Sequence, residues 1–265
     1  MKRKVFSYPY IVWMVLFILA PMLFVLYYAF TRDGHFSLEA VRAVLGKETY
    51  LISLWDSLKT AFATTAICLV LGYPVAYILS TMKKAVAALI SVFFIVPMWM
   101  NVLLRTYAWQ SILGDFIPAL FHTGSLLNND FAVMLGLVYN FLPFMILPIY
   151  SVIIKLDGSL LEAARDLGAS SMTVFRRVIL PLSLPGVISG ITMVFVPSVS
   201  TFAISRMLGG GTELLLGDLI ERQFLGGAYN PQLGAAISLV MMLVVVVCML
   251  VMNRFGEGEE QAVML

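Results

Sequence analysis

The chain has 265 residues, of which 61% are apolar and only 12% charged; an ordinary soluble domain is about 45–50% apolar and about 25% charged. So little polar surface excludes a water-soluble globule of this size and points to a protein embedded in lipid. The net charge of +2 gives no reason to expect a nucleic-acid partner. Two cysteines, Cys68 and Cys248, each inside an apolar run, give no disulfide framework, and two isolated histidines, His35 and His122, give no metal site.

About 20 apolar residues make one helix that crosses a hydrocarbon core. Six runs qualify, at roughly 10–30, 58–79, 86–104, 131–154, 186–203 and 233–252. The expected fold is therefore an all-α integral membrane protein of about six transmembrane helices, one transmembrane domain over 1–265. The first run follows Lys2, Arg3 and Lys4 but is too long for a signal peptide and ends on no small-x-small cleavage site. It is predicted to stay as the first helix. Prolines stand within five of the runs (Pro21, Pro74, Pro97, Pro143 with Pro148, and Pro197), each removing a backbone hydrogen bond and favouring a kink. Gly186 and Gly190 form a small-xxx-small pair suited to close helix contact.

Orientation follows from the Lys and Arg of the connecting segments. With both termini in the cytoplasm, the inner segments carry ten of these residues, including Lys83 and Lys84. The outer segments carry seven, Lys59 included, against nine acids: Asp33, Glu39, Glu48, Asp56, Asp115, Asp130, Glu213, Asp218 and Glu221. An outer face that is net acidic favours a cationic solute. No ionisable residue lies in the central part of any run, which argues against a proton-driven pump and against a membrane-embedded hydrolase. A stand-alone secondary transporter would show internal inverted repeats and buried charges, and neither is visible. No GxxxxGK[ST] loop occurs, so the chain is not expected to bind ATP, or any other cofactor, itself.

The longest inner segment, 155–181, is predicted to form two short helices around a sharp turn. Ser159 and Glu162 have the spacing of a capping box, and Gly168 falls where a left-handed residue ends a helix. Ser170 or Ser171 is placed to cap the second helix, and Pro181 to stop it. Leu160, Leu161, Ala164 and Leu167 would make one apolar stripe that something must cover.

Within this segment Glu162-Ala163-Ala164, Gly168, Val178, Leu180 and Pro181 stand in the register EAA-x3-G-x9-I-x-L-P, with Val178 in place of the usual isoleucine. The pattern resembles that of permease subunits of bacterial ABC importers. The resemblance implies a type I importer permease and makes the loop a coupling helix that docks on an ATP-hydrolysing subunit. It further implies a second homologous permease subunit, two copies of the ATPase (which uses ATP and Mg) and an extracytoplasmic solute-binding protein. Cys68 to Pro74, Val96 to Asn101, Leu104 to Trp109, Gly136 to Phe144, Leu160 to Ser170, Gly209 to Gly211 and Leu233 to Ala236 are similar to one branch of that family, the spermidine/putrescine permeases. Related permeases for other small solutes share the same frame.

A polyamine, a flexible chain of ammonium groups and methylenes, is held by aromatic faces and carboxylates. The candidate path residues are Trp99, Asn101, Tyr107, Trp109, Tyr139, Asn140, Ser198, Ser200 and Thr201, which combine aromatic and uncharged polar side chains near helix breaks. Arg105 repels a cation and is expected to anchor the outer interface or to pair with a carboxylate of a docked binding protein.

Overall fold

The computed structural model describes residues 8–32, 34–211, 215–227 and 229–263. Lys2, Arg3, Lys4, Asp33 and Glu213, which entered the charge balance, lie outside these residues. In chain order come α1 (Pro9–Phe30), a short hairpin of β1 (Thr31–Arg32) and β2 (His35–Phe36), α2 (Glu39–Gly46), α3 (Glu48–Thr81), α4 (Lys84–Trp99) and α5 (Val102–Phe121). There follow α6 (Asp130–Ile153), α7 (Gly158–Asp166), α8 (Ser171–Ser200), α9 (Ala203–Gly209), α10 (Leu216–Leu225) and α11 (Pro231–Val263). Among the described residues five helices are long and apolar enough to cross a membrane, and α4 with α5 makes a sixth if the bent pair is one span.

That bend is the first departure from expectation. The third run, 86–104, is not one helix: it breaks after Trp99 and turns by 94° into α5. Pro97 supplies no backbone donor to the last turn of α4. Asn101 starts the new helix, its Oδ1 accepting from the Leu103 N–H at 2.8 Å.

The second departure concerns Pro181, which does not stop its helix. One wide π turn spans Phe175–Ile179, where the Leu180 N–H reaches back five residues to the Phe175 carbonyl. The same device precedes Pro21, at Val15–Leu19, and Pro118, at Ile112–Phe116. A proline ring collides with the carbonyl four residues earlier, here that of Phe17, Gly114 or Arg177, each in the middle of a π turn. Widening the turn makes room for the ring, and the helix continues. The fifth span therefore begins within the 155–181 loop, at Ser171, and ends at Ser200, short of the expected 203.

The chain forms two compact units. One takes in the described residues of Met1–Asp56 and Leu214–Val244. Its core gathers Ala29, Val44, Leu216, Leu219 and Ala235 to Ile237. The other covers Ser57–Glu213 and Val245–Leu265, and all the expected coupling and path residues fall in it. Its main seam is α6 against α8. A Cβ added at Gly186 would lie 3.0 Å from the Pro148 carbonyl oxygen and 3.1 Å from the Ile149 Cα. One at Gly190 would lie 2.8 Å from the Met145 Sδ. Glycine at both positions lets two backbones touch, which is how helices associate where no water drives them together.

Candidate functional site

The 155–181 loop carries the most specific residues. Helix α7 is capped by Asp157, whose Oδ1 accepts from the Ser159 N–H at 2.9 Å. The expected capping box of Ser159 and Glu162 is thus replaced by an aspartate two residues earlier. These hydrogen bonds from Ser159 hold the Asp157 carboxyl below its ordinary value. A depressed carboxyl contributes its stabilisation above its unfolded-state pKa and loses it only as pH falls through the lower folded value, so the cap is intact near neutrality.

At the other end the Gly168 N–H donates to the Arg165 carbonyl at 2.8 Å and the Ala169 N–H to that of Ala164 at 3.1 Å. Gly168 has φ of 79°. This pair of bonds around a left-handed residue is a Schellman closure. Ser170 then caps α8, its Oγ accepting from the Thr173 N–H at 3.3 Å.

The expected apolar stripe splits in two. Leu161, Ala164 and Ala169 pack with Phe175 against the core around Met145 and Ile149, while Leu167 is 89% exposed and Leu160 is exposed. Glu162 and Ala163 are exposed as well. Phe175 stands edge-on to Tyr73 and Tyr77 at 5.8 and 5.2 Å, and the Tyr73 hydroxyl meets that of Ser183 at 2.7 Å. One face of the loop is thereby fastened to α3 and α8. The other, with Glu162, Ala163 and Leu167, is exposed. Leu180 and Pro181 lie exposed on α8, directly after the π turn.

The candidate path residues separate into three groups. Trp109 and Tyr139 meet edge to face at 5.4 Å, joining α5 to α6. Trp99, 87% exposed, Asn101 and Tyr107 flank the bend between α4 and α5. The rest bond to nearby backbone or stand at the helix end. The Asn140 Nδ2 donates to the Gly136 carbonyl at 2.8 Å, and the Ser198 hydroxyl to that of Val194 at 2.6 Å. Ser200 is exposed, its hydroxyl 3.4 Å from two carbonyls of its own helix, and Thr201 follows the helix end.

Sequence reasoning placed Arg105 in an outer segment and did not expect it to be enclosed. It is buried, 7% exposed, on the short helix that carries Trp109. The signal was available, since Asn101 is a good N-cap and a new helix there turns residues 105 and 109 to one face.

The chain belongs to the family described as binding-protein-dependent transport system inner membrane component, which matches residues 69–258. It is 37% identical to the spermidine/putrescine transport system permease protein PotB of Haemophilus influenzae, covering 92% of this chain and 91% of that protein. It is 39% identical to PotB of Escherichia coli K12, covering 91% and 93%. Among solved structures it shares the fold of a bacterial ABC transporter involved in the import of the acidic polysaccharide alginate, with a TM-score of 0.71, 16% identity and coverage of 97% and 96%. The MetNI methionine ABC transporter gives a TM-score of 0.62 at 20% identity, covering 79% of this chain and 95% of that one. The chain is thus a multi-pass inner-membrane permease subunit of an ABC importer.

Proposed function

We propose that the chain forms half of the path by which an ATP-driven importer carries a polyamine, spermidine or putrescine, across the cytoplasmic membrane. The observation that carries this reading is the identity of 37–39% to spermidine/putrescine permeases over nine-tenths of the chain. The exposed Trp99 and Tyr107 and the Trp109–Tyr139 pair support it, because aromatic faces suit ammonium groups. A second homologous permease completes the path. Two copies of an ATPase, which use ATP and Mg, sit on the inner side, and an extracytoplasmic binding protein delivers the solute. Glu162, Ala163, Ala164 and Gly168 form the surface that meets the ATPase, and Leu180 and Pro181 pass its movement to the fifth span. The chain itself needs no cofactor and performs no hydrolysis.

Uptake of labelled spermidine into vesicles holding the whole complex tests the solute. Trp99→Ala and Tyr139→Ala are each expected to lower uptake roughly 2- to 30-fold, the range of one cation–π contact, with no loss of permease from the membrane. Uptake unchanged in both, or wild-type uptake of another solute uncompeted by polyamines, removes the polyamine reading.

Both termini are placed in the cytoplasm. A reporter active only in the cytoplasm and fused after Met252 is expected to work, and one active only outside is expected to be silent. The reverse pattern contradicts an even number of crossings.

A further inference from the structure

Tyr73 of α3 grips α8 at both ends of the π turn that precedes Pro181. Its ring stands edge-on to Phe175, the first residue of that turn, at 5.8 Å. Its hydroxyl lies 2.7 Å from that of Ser183, and the Ser183 hydroxyl lies 2.9 Å from the carbonyl oxygen of Leu180. Leu180 directly follows the turn. A hydroxyl carries one proton to donate and a carbonyl none. The Ser183 proton therefore goes to Leu180, and the Tyr73 proton goes to Ser183. The relay has one direction, from Tyr73 through Ser183 to the Leu180 carbonyl.

Ser183 is fully buried and Tyr73 is 9% exposed, against the apolar cluster that contains Met145, Ile146 and Ile149. Packing holds helices together there without hydroxyls, and an apolar pair of the same shape is nearly neutral for stability. The hydroxyls add register between two helices that are weakened at this level. Pro74, next to Tyr73, withholds a backbone donor from α3, and Pro181 and Pro185 do so in α8. A helix bends most readily at a proline or a π turn, and the relay joins these two bending points. Leu161, Ala164 and Ala169 of the 155–181 loop pack against the same cluster as Phe175. A displacement of α7 thus reaches α3 and α8 together at this joint.

We infer that the Tyr73–Ser183–Leu180 relay is the joint that makes the loop and its two spans move as one, with Tyr73 a positioning residue for energy coupling. The inference rests on the coupling role proposed above for the 155–181 loop. The direction of the protons separates two kinds of damage. Tyr73→Phe removes one bond and strands no donor, because the Ser183 proton keeps its carbonyl. Ser183→Ala strands the buried Tyr73 proton, which costs stability. Adding Tyr73→Phe to Ser183→Ala takes the stranded group away.

The test uses the complete reconstituted complex and measures ATP hydrolysis stimulated by loaded binding protein, with thermal unfolding of the same complexes in detergent. Tyr73→Phe is expected to keep the wild-type Tm and to lower stimulation about fivefold, the weight of one hydrogen bond. Ser183→Ala is expected to lower both. The double variant is expected to regain the wild-type Tm while its stimulation stays at the Tyr73→Phe level. If stimulation follows Tm across the three variants, the pair is a structural bond only and the inference falls. Wild-type stimulation in Tyr73→Phe overturns it as well. Glu162→Lys, measured alongside, reports on the loop itself. Stimulation lost in Glu162→Lys and kept in Tyr73→Phe removes the relay and leaves the role of the loop intact. Stimulation kept in Glu162→Lys removes the coupling reading and the inference with it.

Discussion

Replacing Gly168 by proline is expected to leave the permease in the membrane and to lower ATP hydrolysis stimulated by loaded binding protein at least tenfold in the reconstituted complex. Gly168 has φ of 79° and its N–H bonds to Arg165. Proline fixes φ near −65° and has no N–H, so the turn between α7 and α8 loses both its geometry and a bond. The spans do not depend on that turn for insertion. Gly168→Ala separates shape from bulk. A Cβ there meets nothing within 4 Å, leaving only the left-handed strain of about 1–2 kcal/mol, and a partial loss is expected. Glu162→Lys should match the proline variant, because exposed Glu162 stands on the face turned away from the core. Asp157, not Glu162, caps the helix, so a failure of Glu162→Lys cannot be assigned to a lost cap. Wild-type stimulation in both variants would remove the coupling role of the loop.

Gly186→Leu is expected to have the opposite signature, loss of the folded permease itself. Its Cβ would meet the Pro148 carbonyl and the Ile149 Cα at 3.0 and 3.1 Å. These are backbone atoms of a buried helix and have no alternative rotamer. Overpacking of this kind costs about 3 kcal/mol or more where the backbone must shift. Gly190→Ala should be milder, because the nearest atom is the Met145 Sδ at 2.8 Å, on a flexible side chain. Abundance in the membrane and thermal stability in detergent give the ranking. A Gly186→Leu permease as stable as wild type would show that α6 and α8 separate without cost.

The seam, the loop and the bend differ in how far the sequence determined them. Apolar run length alone placed five of the spans, the first to within one residue, at Pro9–Phe30, because lipid forces every backbone group into a helix. The left-handed turn at Gly168 was equally legible, since a glycine at the end of a short helix has a local conformational reason to be there. The cap of α7 was misassigned because two residues matched cap chemistry and the spacing favoured the wrong one. Where the chain enters the helix settles it, and that depends on Leu161 and Ala164 seating in the core.

Two further features were decided by tertiary structure. Whether a proline stops a helix or is absorbed by a π turn depends on whether packing on both sides holds the helix together. Phe175, within the π turn before Pro181, is clamped between Tyr73 and Tyr77. The burial of Arg105 likewise followed from a 94° bend and the stacking of Trp109 on Tyr139. Hydropathy sums residues along a line and is blind to a helix that turns back against its neighbours. The sequence by itself determined that the chain is apolar enough to cross a membrane and that a helix in the 155–181 loop ends on a left-handed glycine. Only the tertiary structure decided which polar groups the fold would bury, because burial is set by contacts between segments distant along the chain.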